Sequence, residues 1–372
     1  MKYFLIVGEA SGDLHGSNLI KELKANDKDA EFQFWGGDLM SKAAGKEPNK
    51  HIKDLAFMGF LEVLMKLGSI RQNFKDCKQQ IKDFRADALI MIDYPGFNLR
   101  IAPFAKANNI NTFYFISPKV WAWKQKRVFK IKKYIDVLFT ILPFETDFYK
   151  QFDYDVNYVG NPLMDAIEQF RNSKEDKLIN NPKPIVALLP GSREQEIKRI
   201  LPLMIDVADT FPKYDFVIAG APGFSKEYYN DLFKKRVYDV RFNETYSILS
   251  NAEAALVTSG TATLETALLN IPQVVCYKAN QLSYEIGKRL VKVRFMSLVN
   301  LILDYEAVPE LLQHKMSFKN LQTELSSIII GGSKRDKILI EYKVLHHKVG
   351  KAGASKRVAE GILDYLHKKE NN

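Results

Sequence analysis

Short runs of β-branched and aromatic residues recur along the chain, each followed by a helix-length stretch carrying apolar residues every three or four positions. That alternation predicts strands joined by helices, the signature of a parallel α/β sheet. In the first half, strands are predicted at residues 3–7, 31–35, 88–92, 112–116 and 137–141. The second half repeats the pattern at 185–189, 216–219, 254–257 and 273–277. The predicted fold is therefore α/β, with two Rossmann-like, doubly wound domains expected to face each other across a cleft. Residues 1–165 form the first domain in this reading and 166–349 the second. Gly160-Asn161-Pro162 and the polar stretch up to Pro184 serve as crossover and hinge. A last helical stretch, about 350–372, has no strand after it and is expected to pack back on the first domain.

At 372 residues the chain exceeds what one hydrophobic core usually organises, consistent with two domains. The apolar run at 3–7 is too short for a signal-peptide core, and no window approaches the ~18 consecutive apolar residues that span a bilayer. Membrane contact, if made, is expected to be peripheral. Cys77 and Cys276 lie far apart without metal or redox spacing and read as reduced core residues. The excess of 54 Lys and Arg over 44 Asp and Glu, a formal +10, calls for an anionic partner: phosphorylated substrate, acidic lipid or nucleic acid.

In open α/β sheets ligands bind beyond the carboxyl ends of the strands, so the residues after each predicted strand are the chemical candidates. After the first strand, Gly8 to Gly16 is a glycine-spaced turn that includes Glu9, Ser11 and Asp13. It either admits a ligand to the backbone or only lets strand and helix pack closely. After residue 92, Asp93-Tyr94-Pro95-Gly96-Phe97-Asn98 sets a carboxylate at a strand end, as a general base or as a turn cap. Pro190-Gly191-Ser192-Arg193 offers small residues and a guanidinium to a phosphate, or is an ordinary turn with a surface arginine. Ser259-Gly260-Thr261, leading to Glu265, opens a helix whose N–H groups suit a pyrophosphate, with Glu265 as acceptor for a ribose diol. A capping box accounts for part of that pattern.

Between Pro118 and Lys133, Trp121 and Trp123 are interleaved with seven basic residues, among them Lys124, Lys126 and Arg127, and no acid interrupts the run. Such a mixture suits a membrane headgroup zone, a nucleic-acid surface, or a solvated helix whose aromatics belong to the core. The apolar stretch Met58 to Leu67 is a second membrane or acyl-chain candidate. No Walker loop or His-Glu-x-x-His occurs, and the two Asp-x-Asp triplets read as solvated turns, so metal dependence is not expected.

Taken together, Gly8 to Asp13, Asp93 to Asn98, Ser117 to Trp123, Leu142 to Glu145, Leu188 to Arg193, Ser259 to Glu265 and Ser297 to Leu301 resemble the lipid-A-disaccharide synthase family almost end to end. That family has the two-domain GT-B architecture. The resemblance implies an inverting, metal-independent hexosyltransferase without cofactor. It would join UDP-2,3-diacylglucosamine to 2,3-diacylglucosamine 1-phosphate by a β-1,6 bond and release UDP at the cytoplasmic face of an inner membrane. It further implies Asp93 as base, with Glu9, Ser11 and Asn98 on the acceptor side. Ser192, Arg193, Ser259, Gly260, Thr261, Glu265 and Asn300 would hold the donor, and nucleic acid is not a partner. Where the family often has a second acid this chain has Gly96, and where it has a histidine this chain has Asn161. The alternatives are another UDP-N-acetylglucosamine enzyme of the same fold, a basic nucleic-acid-binding module, and an oxidoreductase resting on Gly8 to Gly16 and Asp38.

Overall fold

The computed structural model describes residues 1–55, 67–173, 181–233, 237–280, 284–285 and 293–370. The chain divides into two compact units, Met1–Pro162 with Lys351–Asn372, and Leu163–Gly350.

The first unit runs β1 (Lys2–Ile6), α1 (Ala10–Asn26), β2 (Glu31–Gly36), α2 (Asp38–Ala44), β3 (Lys50–His51), α3 (Leu67–Phe84), β4 (Ala88–Ile92), α4 (Pro95–Ala107), β5 (Asn111–Phe115), α5 (Arg127–Tyr134), β6 (Val137–Thr140), α6 (Glu145–Lys150) and β7 (Asn157–Tyr158). Its seven strands form one parallel sheet in the order β3-β2-β1-β4-β5-β6-β7. Both faces of the central strands are covered. Tyr3, Leu5, Ala88, Ile90 and Ile92 point into one core with Leu19 and Ile20 of α1, while Phe4, Ile6, Leu89 and Met91 point into the other with Cys77, Ile81 and Phe97. That period-two split explains why these strands read as continuous apolar runs, as buried parallel strands do.

The C-terminal helix, Ala354–Glu370, belongs to this unit. Val358, Ala359 and Ile362 enter the core beside α1, and Tyr365 stands edge-on to Phe113 at 5.5 Å. Arg357 Nε donates to the Val159 carbonyl at 2.8 Å, tying the helix to the end of β7.

The second unit runs α7 (Pro162–Asn172), β8 (Ile185–Leu189), α8 (Glu194–Ala208), β9 (Asp215–Gly220), α9 (Lys226–Leu232), β10 (Asp239–Phe242), α10 (Thr245–Ser250), β11 (Ala252–Thr258), α11 (Thr261–Leu268), β12 (Gln273–Tyr277), α12 (Leu298–Leu303), β13 (Glu310–Leu312), α13 (Phe318–Ile328) and α14 (Arg335–Val349). Its six strands are again parallel, in the order β10-β9-β8-β11-β12-β13. Both sheets reverse their winding at one point, between β1 and β4 in the first unit and between β8 and β11 in the second. These are the topological switch points at which such sheets open a crevice for a ligand. All nine predicted strands are present. The four short strands β3, β7, β10 and β13 extend the sheet edges beyond them.

Among the described residues, no helix is long and apolar enough to cross a membrane. Of the apolar candidate Met58 to Leu67, all but Leu67 lies outside the described residues. Cys77 and Cys276 are both free and buried.

Candidate functional site: the two switch-point turns

In the first unit, the turn after β1 meets the turn after β4. Their closeness is measured by Gly8: a Cβ there would lie 2.3 Å from the ring of Tyr94. A Cβ at Gly16 would lie 2.5 Å from Met40 Sδ, and Gly12 packs on Val7. These glycines are therefore required by side-chain packing. Asp13 is also structural. Its buried carboxylate accepts from the N–H groups of Gly37, Leu39 and Met40 at 2.7, 3.0 and 3.1 Å, capping α2. Glu9 and Ser11 remain exposed at the start of α1, where no side chain caps the helix.

Asp93 and Tyr94 are consecutive non-glycine residues in the left-handed region, with φ of 46° and 48°. Such conformations cost about 1–3 kcal/mol each and persist only where surrounding structure imposes them. Here the Asp93 N–H donates to the Phe115 carbonyl at 3.0 Å. Its carbonyl accepts from Asn98 Nδ2 at 2.7 Å and the Tyr114 hydroxyl at 2.5 Å. The carboxylate opens into a recess of about 160 Å³ whose lining includes Pro118, Lys119, Val120, Trp123 and Arg127. Asp93 is exposed at the mouth of the recess, yet the protein packed around its carboxyl withdraws it from part of the solvent and pushes it above its ordinary value; Lys119 opposes the rise and Glu9 adds to it. A carboxylate so placed holds a proton more readily than a solvated one, as a general base requires. Gly96 is exposed at this turn, and a Cβ there would meet only open space.

Two expected members of this site stand elsewhere. Asn98 is fully buried, and its Nδ2 bears on Asp93 through the backbone carbonyl. Trp121, expected at a membrane surface, is buried edge-on against Phe144 at 5.0 Å. Trp123 is the exposed tryptophan, its ring covered by Lys124 Nζ at 4.3 Å and the Arg127 guanidinium at 5.6 Å. Lys126 is exposed beside them, and Phe129, 61% exposed on α5, continues the apolar part of the surface.

Glu145, for which the sequence alone predicts no separate role, stands close by Ser117 and Trp121. It is 1% exposed and accepts from the N–H groups of Ile141 and Leu142 at 3.1 and 2.9 Å. Burial pushes its carboxyl up to about 7, against the lowering effect of those N–H groups and of nearby Ser117 and Trp121. The Trp121 Nε1 lies close enough to act on that charge, but without the geometry of a hydrogen bond. Asn161 is buried, and its Nδ2 donates to the Ile141 carbonyl at 3.2 Å.

In the second unit the turns after β8 and β11 adjoin: a Cβ at Gly191, whose φ is +111°, would lie 3.4 Å from the Thr258 methyl. Ser192 and Arg193 are exposed. Their N–H groups approach Glu196 Oε2 at 3.3 Å, and the Arg193 guanidinium stands 3.8 Å from Glu196 Oε1. At 83% exposure that pair leaves Arg193 available to an anion. At the start of α11, Gly260 is the cap residue, no side chain caps the helix, and a Cβ at Gly260 would meet nothing within 4 Å. Thr261 is exposed on the first turn. This is an open helix start of the kind that binds anions. Ser259 is held by its hydroxyl bond to the Met296 carbonyl at 2.8 Å. One turn in, Glu265 accepts from the Tyr246 hydroxyl at 2.7 Å; burial raises its pKa and Tyr246 opposes the rise.

Asn300 departs from expectation. It is fully buried, and its amide is consumed internally: Nδ2 donates to the Val308 carbonyl and Glu310 Oε1, and Oδ1 accepts from the N–H groups of Ala307 and Val308. It holds the loop before β13 and has no valence left for a donor sugar. Asp38, on which an oxidoreductase reading leaned, pairs with His51 and Lys53 at 3.2 and 3.4 Å. A cavity of about 420 Å³ lies at the amino ends of β9 and β10, opposite the switch point. Among the described residues, no group of three or more His, Cys, Asp or Glu is arranged to hold a metal ion.

Two parallel Rossmann-like sheets, each with polar turns at its switch point, define the GT-B class of fold, used by glycosyltransferases and sugar-nucleotide epimerases. Solved structures of both kinds share it. The UDP-GlcNAc 2-epimerase of Neisseria meningitidis, solved with UDP-GlcNAc, matches with a TM-score of 0.69 at 13% identity, over 98% of this chain and all of that one. The glycotransferase of kitacinnamycin matches with a TM-score of 0.65 at 11% identity, over 98% of each chain. At such identities they speak for the fold alone. The family profile described as lipid-A-disaccharide synthetase matches residues 3–360. The lipid-A-disaccharide synthase of Syntrophus aciditrophicus is 36% identical over 378 residues, covering 98% of both chains. The chain thus belongs to the lipid-A-disaccharide synthase family, which makes it a hexosyltransferase.

Proposed function

We propose that the chain condenses UDP-2,3-diacylglucosamine with 2,3-diacylglucosamine 1-phosphate, giving the β-1,6-linked disaccharide 1-phosphate and UDP. The observation that carries this reading is Asp93. It is a carboxylate of raised proton affinity in a recess walled by prolines, a valine and a tryptophan, with Lys119 beside it. In the first unit Asp93 takes the proton of the acceptor's 6-hydroxyl as that oxygen attacks, with Glu9 and Ser11 at the rim of the acceptor side. One displacement at the anomeric carbon inverts its configuration.

In the second unit the open start of α11, at Ser259, Gly260 and Thr261, and the Ser192-Arg193 turn take up the diphosphate and stabilise departing UDP, while Glu265 accepts from the ribose diol. Backbone N–H groups and Arg193 then do what a metal does in other transferases, so activity should survive chelation. Trp123, Lys124, Lys126, Arg127 and Phe129 form the contact with an anionic membrane, on its cytoplasmic face.

The test is UDP release in detergent and EDTA, with and without acceptor. Acceptor-dependent release supports the assignment. Release of UDP without acceptor, or epimerisation of free UDP-N-acetylglucosamine, would move the chain to another reaction of the same fold.

A further inference from the structure

Eleven non-glycine residues among those described have positive φ. Six are Asn or Asp residues, which tolerate this conformation: Asn109, Asp153, Asn243, Asn270, Asp304 and Asp93 itself. Three of the others adjoin the segments that line one recess: Tyr94 lies between Asp93 and Pro95 on one side, and Ile116 and Lys124, at φ of 65° and 53°, bracket the Pro118–Trp123 loop on the other. A β-branched residue in that region is a genuine outlier. Strain gathered this densely marks a site whose shape is set before its ligand arrives.

The strain at Asp93 is held from behind. Its carbonyl is the meeting point of two fully buried donors, the Tyr114 hydroxyl from β5 and Asn98 Nδ2 from α4, at 2.5 and 2.7 Å. Neither donor reaches the recess. We propose that Tyr114 and Asn98 are positioning residues for the transfer reaction: by gripping the Asp93 carbonyl they keep its backbone left-handed and so fix where its carboxylate stands. The inference rests on the reading of Asp93 as base and assigns Tyr114 a part in the chemistry that its place in the middle of an apolar strand conceals. Without the grip, the peptide relaxes toward an ordinary conformation and the carboxylate loses its fixed place at the mouth of the recess. A base displaced by an ångström loses rate more than binding.

The experiment compares Tyr114→Phe, which keeps the ring and removes the donor, with Tyr342→Phe. Tyr342 is an equally buried tyrosine of the second unit whose hydroxyl donates to the Ile271 carbonyl. Kinetics with both diacylated sugars in detergent and thermal unfolding are followed for each, alongside Asp93→Asn. For Tyr114→Phe we expect kcat to fall about 10- to 100-fold with both KM values within about two-fold of wild type. The acid limb of its pH profile should move to lower pH as the Asp93 carboxyl loses the desolvation, and with it the Glu9 charge, that raise its proton affinity above what Lys119 takes away. Tyr342→Phe should lower only the unfolding temperature. If Tyr114→Phe behaves as Tyr342→Phe does, with kcat and acid limb unchanged, the positioning role is overturned while an inactive Asp93→Asn leaves the base in place. If Asp93→Asn turns over normally, the base reading falls and the positioning role falls with it.

Discussion

The two switch points solve the same topological problem with opposite materials. In the first unit the strand-end turn is built from non-glycine residues forced into left-handed backbone, gripped by buried side chains and flanked by charges of both signs. In the second the helix start after β11 is serine, glycine and threonine, open and without a side-chain cap, and the turn after β8 is glycine, serine and an exposed arginine, with Glu196 on its N–H groups. The contrast separates two chemical tasks. A proton acceptor needs one carboxylate in one place with a tuned proton affinity, which requires side chains and rigidity. A diphosphate needs several N–H donors at close range, which requires backbone and the absence of side chains.

The sharpest way to break that contrast is at Asp93. Asp93→Asn keeps the shape and the tolerance for left-handed backbone while removing the base, and kcat should fall about 10²- to 10⁴-fold. The pH profile carries the sign. The base works deprotonated and burial raises its pKa, so activity is lost as pH falls through a value above the ordinary 3.8. Because Lys119 holds that value down and Glu9 pushes it up, Lys119→Gln should move the acid limb to higher pH and Glu9→Gln to lower pH. Shifts of equal sign would remove Asp93 as the titrating group.

The second unit should respond in binding instead. Arg193→Ala removes a charged donor that is largely exposed without donor substrate, so its loss costs little stability. Charged hydrogen bonds contribute about 1.5–3 kcal/mol, so the KM for the UDP-sugar should rise roughly 10- to 100-fold. A loss confined to kcat would place Arg193 on the departing phosphate alone. The outer surface gives a related comparison within one loop. Lys124→Gln with Arg127→Gln should weaken sedimentation with anionic liposomes roughly 30-fold, at about 1 kcal/mol per basic residue. Trp121→Phe should leave sedimentation unchanged, because that ring is inside.

What was legible in the sequence follows from the same physics. The nine central strands were readable because both faces are buried and their residues are nearly all apolar, as in Ile185–Leu189. β3, β7, β10 and β13 were not, because strands of two to four residues at sheet edges carry charges and polar residues, as Lys50–His51 does. The position of the chemistry was readable from the rule that ligands gather at strand carboxyl ends. The direction of each side chain was not. Asn98, Asn300 and Trp121 sit within the right motifs but turn inward, and a motif does not say which of its polar members serves the backbone. Tyr114 carried one faint signal, a phenol among the apolar residues of its strand, whose hydroxyl needs a partner once buried.

Tyr246 provides the smallest test and the closest parallel between the units. Its hydroxyl bears on Glu265 much as Tyr114 bears on Asp93, but on the carboxylate itself instead of the backbone behind it. Glu265 must be ionised to accept from a ribose diol, and burial works against that; the Tyr246 bond works for it. Tyr246→Phe should therefore raise the Glu265 pKa further, so that donor binding weakens as pH falls through a higher value than in wild type. With one hydrogen bond to a charged group lost and the ring retained, the KM for the UDP-sugar should rise about ten-fold at neutral pH and more below it. The kcat at saturating donor should be unchanged, since this carboxylate holds a part of the substrate that does not react. An equal fall in kcat would make the tyrosine–carboxylate pair a catalytic arrangement in both units, and the division between a rigid base and an open anion site would no longer describe the molecule.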